Sequence, residues 1–135
     1  MRSLVVAAAL IGGLVGCQTA GFPPASEAPP VDRYVLSATE TEAVKATVLA
    51  SLKDPYSAVF GLPFLASRDR RSGAVYVCGK VNAKNSFGGY AGDEWFLGAL
   101  STTTGGVALV GIGGSIKDGN SVVVLCNQYV APAWS

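Results

Sequence analysis

The sequence predicts an α+β domain: one N-terminal amphipathic helix packed on a mainly antiparallel sheet of about four strands. Two observations carry this. One stretch, Ser37 to Asp54, repeats its apolar residues at helical spacing. Beyond it, short apolar or alternating runs are separated by turns rich in Gly, Ser, Thr, Asp and Asn.

The helix has its own start and stop. Ser37 with Glu40 three residues later reads as a capping box, and Thr39 with Glu42 offers a second one. Glu40 and Glu42 suit the positive end of the helix. Val44, Val48 and Leu52 form one stripe, flanked by Leu49, over about fifteen residues. Lys53 is placed in the last turn, and Pro55 drives Asp54 out of helical geometry.

The strands follow in order. "AVFGLPFLASR" is apolar but broken by Gly61 and Pro63, which predicts a bulged or edge strand. "DRRSG" is a hairpin turn. In "AVYVCGKVNAK", Val75, Val77 and Val81 alternate with Tyr76, Cys78 and Lys80. "SFGGYAGD" is a glycine-rich loop, and "EWFLGALS" a third strand. After the turn "TTTGG", "VALVGIGG" is a fourth, expected at the buried centre of the sheet. The last element, Ser121 to Val130, reads as strand or helix. Its valines favour a strand, whereas a cap at Asn120-Ser121 and the Asn127-Gln128 continuation allow a helix.

Ahead of the domain the chain reads as an export segment. Arg2 precedes an apolar run from Leu4 to Ile11. That run suits a signal-peptide core and is far short of the ~20 residues of a spanning helix. Leu14-Val15-Gly16-Cys17 then resembles the lipobox of bacterial lipoproteins. The resemblance implies cleavage before Cys17 and acylation of its thiol and new amino group. Several acyl chains at ~0.8 kcal/mol per buried CH₂ make a stable membrane anchor. The alternative is a secreted protein with a chance cysteine near the cleavage site. Gln18 follows in place of Asp, which in enterobacteria-like sorting implies the outer membrane. Residues 1–16 are therefore read as signal peptide and 17–33 as lipidated cysteine and Pro-rich tether, with 34–135 as one globular domain.

The cysteine count is then even. Of three cysteines, lipidation of Cys17 leaves Cys78 and Cys126. In an exported chain this pair is expected to be a disulfide, which completes the predicted fold. There is no C-x-x-C and no histidine, so no metal and no cofactor is expected.

Charge excludes one function class. Ten basic and nine acidic side chains become nine and nine once Arg2 leaves with the signal. A balanced chain lacks the basic face of a nucleic-acid binder, so no nucleic-acid partner is expected. Arg68, Arg70 and Arg71 around Asp69 read as a charged hairpin tip before a ligand patch.

"DPYSAVFG" followed by "VCGKVNAKNSFGGYAG" resembles a set of small exported bacterial lipoproteins of uncharacterised function. The resemblance covers Asp54 to Gly92, with Cys126 as the second cysteine, and carries no activity with it. Within it, Asn82, Lys84, Asn85 and Tyr90 are the candidate binding rim. In the structural reading the asparagines brace the loop backbone, and Phe87 and Tyr90 pack it on the sheet. In the functional reading amide donors and an exposed Tyr90 face a peptide or glycan. The expected function is a non-catalytic binding or structural module at the cell envelope. Its partners would be the membrane, through the lipid, and an envelope protein or cell-wall component. The alternative is an envelope hydrolase pairing Ser86 or Ser57 with Lys84.

Overall fold

The computed structural model describes residues 29–114 and 121–135. The expected signal peptide, Cys17 and the tether as far as residue 28 lie outside the described residues. Strand β1 spans Val31–Tyr34, helix α1 Ala38–Leu49, β2 Val59–Asp69 and β3 Val75–Asn82. They are followed by β4 at Glu94–Leu100, β5 at Val107–Ile112 and helix α2 at Val122–Tyr129. The five strands lie side by side in chain order, each antiparallel to the next.

Alternation along the central strand builds the layers. On one face Val75, Val77 and Val81 of β3 join Phe64, Phe96 and the buried Val44 and Val48 of α1. On the other, Cys78 joins Leu97 and the buried Val122, Leu125 and Cys126 of α2. Each face of the sheet thus carries one helix, and the disulfide Cys78–Cys126 ties α2 to β3. Ser121 caps α2 by accepting from Val124 N at 3.2 Å, which resolves the open reading of this segment as helix.

Three features differ from the sequence reading. The sheet has five strands, because Val31–Tyr34 pairs with Ala66–Asp69. Three residues assigned to the tether, Val31 to Arg33, therefore belong to the sheet. "VDRY" is too short and too charged to show a strand pattern. It is held by long-range contacts: Arg70 Nε lies 3.1 Å from Asp32 Oδ1, and the Arg33 guanidinium stacks 4.3 Å from the Trp134 ring. Second, β5 is an edge strand and not the centre of the sheet, and its side chains are mostly half-buried.

Third, α1 is shorter than its apolar stripe. Its end tightens into i→i+3 bonds, Ser51 N to Val48 O and Leu52 N to Leu49 O, so Lys53 lies past the helix. The irregularity expected of β2 is present: its register shifts between Gly61 and Leu65, and β1 pairs only with its second half.

The start of α1 is over-determined. Ser37 Oγ accepts from Glu40 N at 3.2 Å, and Glu40 Oε2 accepts from Ser37 N at 2.8 Å. The other oxygen of Glu40 accepts from the Tyr34 hydroxyl at 2.8 Å, knotting β1 to α1. These bonds, the Ser37 backbone N–H foremost, hold the Glu40 carboxyl below its ordinary range.

Candidate binding cleft

The two sequence motifs meet in space. A 3-10 turn at Pro55–Ser57 follows the Asp54-Pro55 break. The Ser57 hydroxyl donates to Asp54 O at 3.0 Å and accepts from Lys84 N at 2.8 Å. Ser57 therefore pins the strand end after β3 to the turn after α1. Its oxygen is committed in both directions and serves as a structural tie.

The loop between β3 and β4 is closed by its own backbone. Lys84 bridges Tyr90, Asn85 N donates to Gly89 O at 2.8 Å, and Ala91 N to Ala83 O at 3.2 Å. Asn85 Oδ1 accepts from Phe87 N at 2.9 Å and Gly89 N at 3.3 Å, while Asn82 Oδ1 accepts from Gly92 N at 3.2 Å. The asparagines thus brace the loop, as the structural reading expects. The aromatic residues do not pack it down: Phe87 is 97% exposed and Tyr90 53%. A loop held by its backbone needs no hydrophobic foot, so both rings stand outward. The Lys84 ammonium lies 5.6 Å from the Tyr90 ring centroid.

Below this loop is a cleft of about 210 Å³. The end of α1 covers it through Leu52 and Lys53, and the loop supplies Lys84 and Asn85. Its floor is Val81 and Ile112, on the α1 face of the sheet, with Glu94 beside them. Glu94 opens β4 directly opposite Val81, two residues before the buried Phe96, which sets it on that same face.

The charges of the cleft are not paired with one another. Lys53 Nζ donates to Ser86 Oγ at 3.1 Å, and Lys84 faces the Tyr90 ring. Among the described residues the ion pairs are Lys45–Glu42 and Arg70–Asp32, so neither lysine meets a carboxylate and Glu94 meets no cation. Sequence reasoning found Lys84 and Asn85 but missed Lys53, Glu94 and Ile112 as site residues. No local pattern marks them, since they converge from a helix end and two separate strands.

The Ser/Lys pairing also differs from expectation. Ser86 meets Lys53, not Lys84, and Ser57 meets only the Lys84 backbone. Among the described residues no group of three His, Cys, Asp or Glu could hold a metal ion. A second hollow, about 430 Å³ between Tyr34, Leu36, Leu62, Pro63 and Trp134, is lined without a charged side chain. The arginine cluster is divided: Arg68 stacks 5.1 Å from Tyr34, Arg70 pairs with Asp32, and Asp69 accepts from Arg71 N and Ser72 Oγ within the turn. No family model matches this chain, and no curated protein or solved structure matches it.

Proposed function

We propose that this chain is a non-catalytic binding module of the bacterial cell envelope, anchored by acyl chains on Cys17, with its ligand in the cleft under the Lys84–Gly92 loop. The observation that carries the reading is a hydrogen-bonded loop with two outward aromatic rings, next to a cleft lined by charges that are not paired with one another. A pre-formed site of this kind binds without first paying to order its loop. The lipobox-like Leu14 to Cys17 and the Pro-rich stretch after it support the anchor, and Gln18 supports the outer membrane. In this reading the partner is a cell-wall component or an envelope protein.

The hydrolase reading has one observation in its favour, the Lys53–Ser86 contact. Against it, the N–H groups of Asn85, Phe87, Gly88 and Gly89 are all bonded within the loop. They flank Ser86 in the chain and, being bonded, are not free to stabilise an oxyanion, which leaves no pair of converging loop donors beside it. The non-catalytic reading is therefore preferred.

The test is photo-crosslinking of the full-length, lipidated protein in the intact envelope. A benzophenone side chain at Phe87 should give an adduct that is absent with the same group at Thr103, in the turn between β4 and β5. Lys84→Met should reduce that adduct. Equal labelling from both positions, or a Phe87 adduct indifferent to Lys84→Met, would remove the cleft from the function. The anchor is checked separately: Cys17→Ser should release the protein from membranes, and mass spectrometry of the native chain should find diacylglycerol on Cys17.

A further inference from the structure

Resting on the reading of this cleft as a binding site, the geometry points to its ligand class: we infer that the cleft takes a zwitterionic amino-acid centre, one carrying a free ammonium and a free carboxylate. Lys53 and Lys84 would hold the carboxylate, Glu94 the ammonium, and an apolar side chain would lie on the Val81–Ile112 floor.

The placement of charge is the first argument. The cations come from the segment just past α1 and from the loop; the anion comes from the first residue of β4. Opposite charges lining one small cleft would ordinarily close on each other. Here no ion pair forms between Glu94 and either lysine. Each lysine instead contacts a neutral group, a serine hydroxyl or a tyrosine ring. An ammonium has three donors, so each keeps donors for an incoming oxygen. Charges of both signs held apart match a ligand whose ammonium and carboxylate are both attached to one carbon.

The second argument is how Glu94 is held. A Cβ on Gly113 would lie 2.9 Å from Glu94 Oε2 and 3.0 Å from its Cδ. Gly113 also has φ +59, a conformation that L side chains rarely adopt. The carboxylate thus rests against a backbone surface that only glycine leaves open.

The third argument is size and polarity. A cleft of about 210 Å³ with Leu52, Val81, Ala83 and Ile112 on its walls suits one small apolar side chain, not an extended polymer. An ordinary peptide end carries only one of the two charges, so the fit is to a free amino acid or to a side chain of a larger molecule that ends in such a centre. The outward Phe87 and Tyr90 would cover what protrudes.

The test titrates the full lipidated chain in detergent with free L-leucine, L-leucinamide and N-acetyl-L-leucine, followed by calorimetry and by amide shifts. Leucine should bind with shifts at Lys84, Glu94 and Ile112. Removing the carboxylate charge in leucinamide, or the ammonium charge in N-acetyl-leucine, should each weaken binding at least about ten-fold, the scale of one charge-assisted contact. Glu94→Gln should erase the preference for leucine over N-acetyl-leucine while retaining the fold by circular dichroism. Lys45→Met, outside the cleft, should change nothing. If N-acetyl-leucine binds as well as leucine, the cleft takes simple anions and the zwitterion inference fails, though the binding reading stands. If leucine does not bind, the inference fails as well. The crosslink from Phe87 then decides the binding reading independently.

Discussion

The two faces of the sheet are held by different means. The α1 face is a packed hydrocarbon core. Phe60, Phe64 and Phe96 meet edge to face, with Phe64 and Phe96 5.1 Å apart and Phe60 and Phe64 5.7 Å apart. Gly79 makes room for them, since a Cβ there would lie 2.5 Å from Phe96 Cζ and 2.6 Å from Phe64 Cδ1. The α2 face also buries aliphatic side chains but is fixed at named atoms. Cys126 is bonded to Cys78, the Ser67 hydroxyl donates to Tyr129 O, and Trp134 Nε1 donates to Ala66 O at 2.8 Å. The difference follows from the helices. α1 has a capping box and 12 residues, whereas α2 has 8 and a single serine cap. Two turns of helix are far below what stands alone in water, so α2 is held by attachment.

The largest expected effect comes from opening the hydrocarbon face. Phe96→Ala should cost about 3–5 kcal/mol in denaturant unfolding, the range for a fully buried aromatic ring. Phe96 also lies one register pair from the floor of the cleft, opposite Ile112. If the loss were under about 1 kcal/mol, the face would be collapsing around the hole and would not be the rigid half of the comparison.

Next comes the staple. Cys78 and Cys126 are separated by 48 residues, and replacing both by alanine should cost up to about 4 kcal/mol in the chain-entropy model. The sharper readout is where protection is lost. Hydrogen exchange in the reduced protein should rise across Val122–Tyr129 before it rises across Ala38–Leu49. Equal rise in both helices would mean that the two faces open as one unit.

How much of this was legible in the sequence follows the same division. The α1 face was readable because its signals are local: Ser37 with Glu40, the Val44–Val48 stripe, and the valine alternation of β3. The disulfide followed from cysteine count and compartment. β1 was hidden, because four residues with two charges are made a strand by Arg33, Trp134 and the edge of β2. The edge position of β5 was hidden too, since an apolar run looks alike at the centre and at a helix-covered edge. In the site, Lys84 and Asn85 carried a motif. Lys53 and Glu94 did not, because what matters about them is which cleft they share.

A smaller effect tests whether single atoms matter on the α2 face. Ser67 is fully buried, and its hydroxyl is the donor to Tyr129 O at the end of α2. Ser67→Ala should cost about 1–3 kcal/mol, the penalty for a buried acceptor that loses its partner. Ser67→Cys, close in size but a weaker donor, should fall between the two. A neutral Ser67→Ala would mean that the disulfide alone positions the helix.

The smallest effect falls on the self-capped side and depends on pH. Bonds from the Ser37 N–H and the Tyr34 hydroxyl lower the Glu40 carboxyl below its ordinary value. A carboxyl with a lower pKa in the folded chain adds stability above its unfolded pKa, and the gain is lost as pH falls through the folded one. Glu40→Gln keeps a side chain that suits the capping box but removes the charge. At about pH 7 the variant should be less stable by roughly 0.5–1 kcal/mol, a low figure because the group is near solvent. As the pH falls through the lowered pKa of the folded carboxyl, the gap should narrow towards zero. Melting temperatures of both proteins along a descending pH series decide it. A gap of equal size at low pH would assign the effect to amide geometry, and α1 would then owe its start to shape and not to charge.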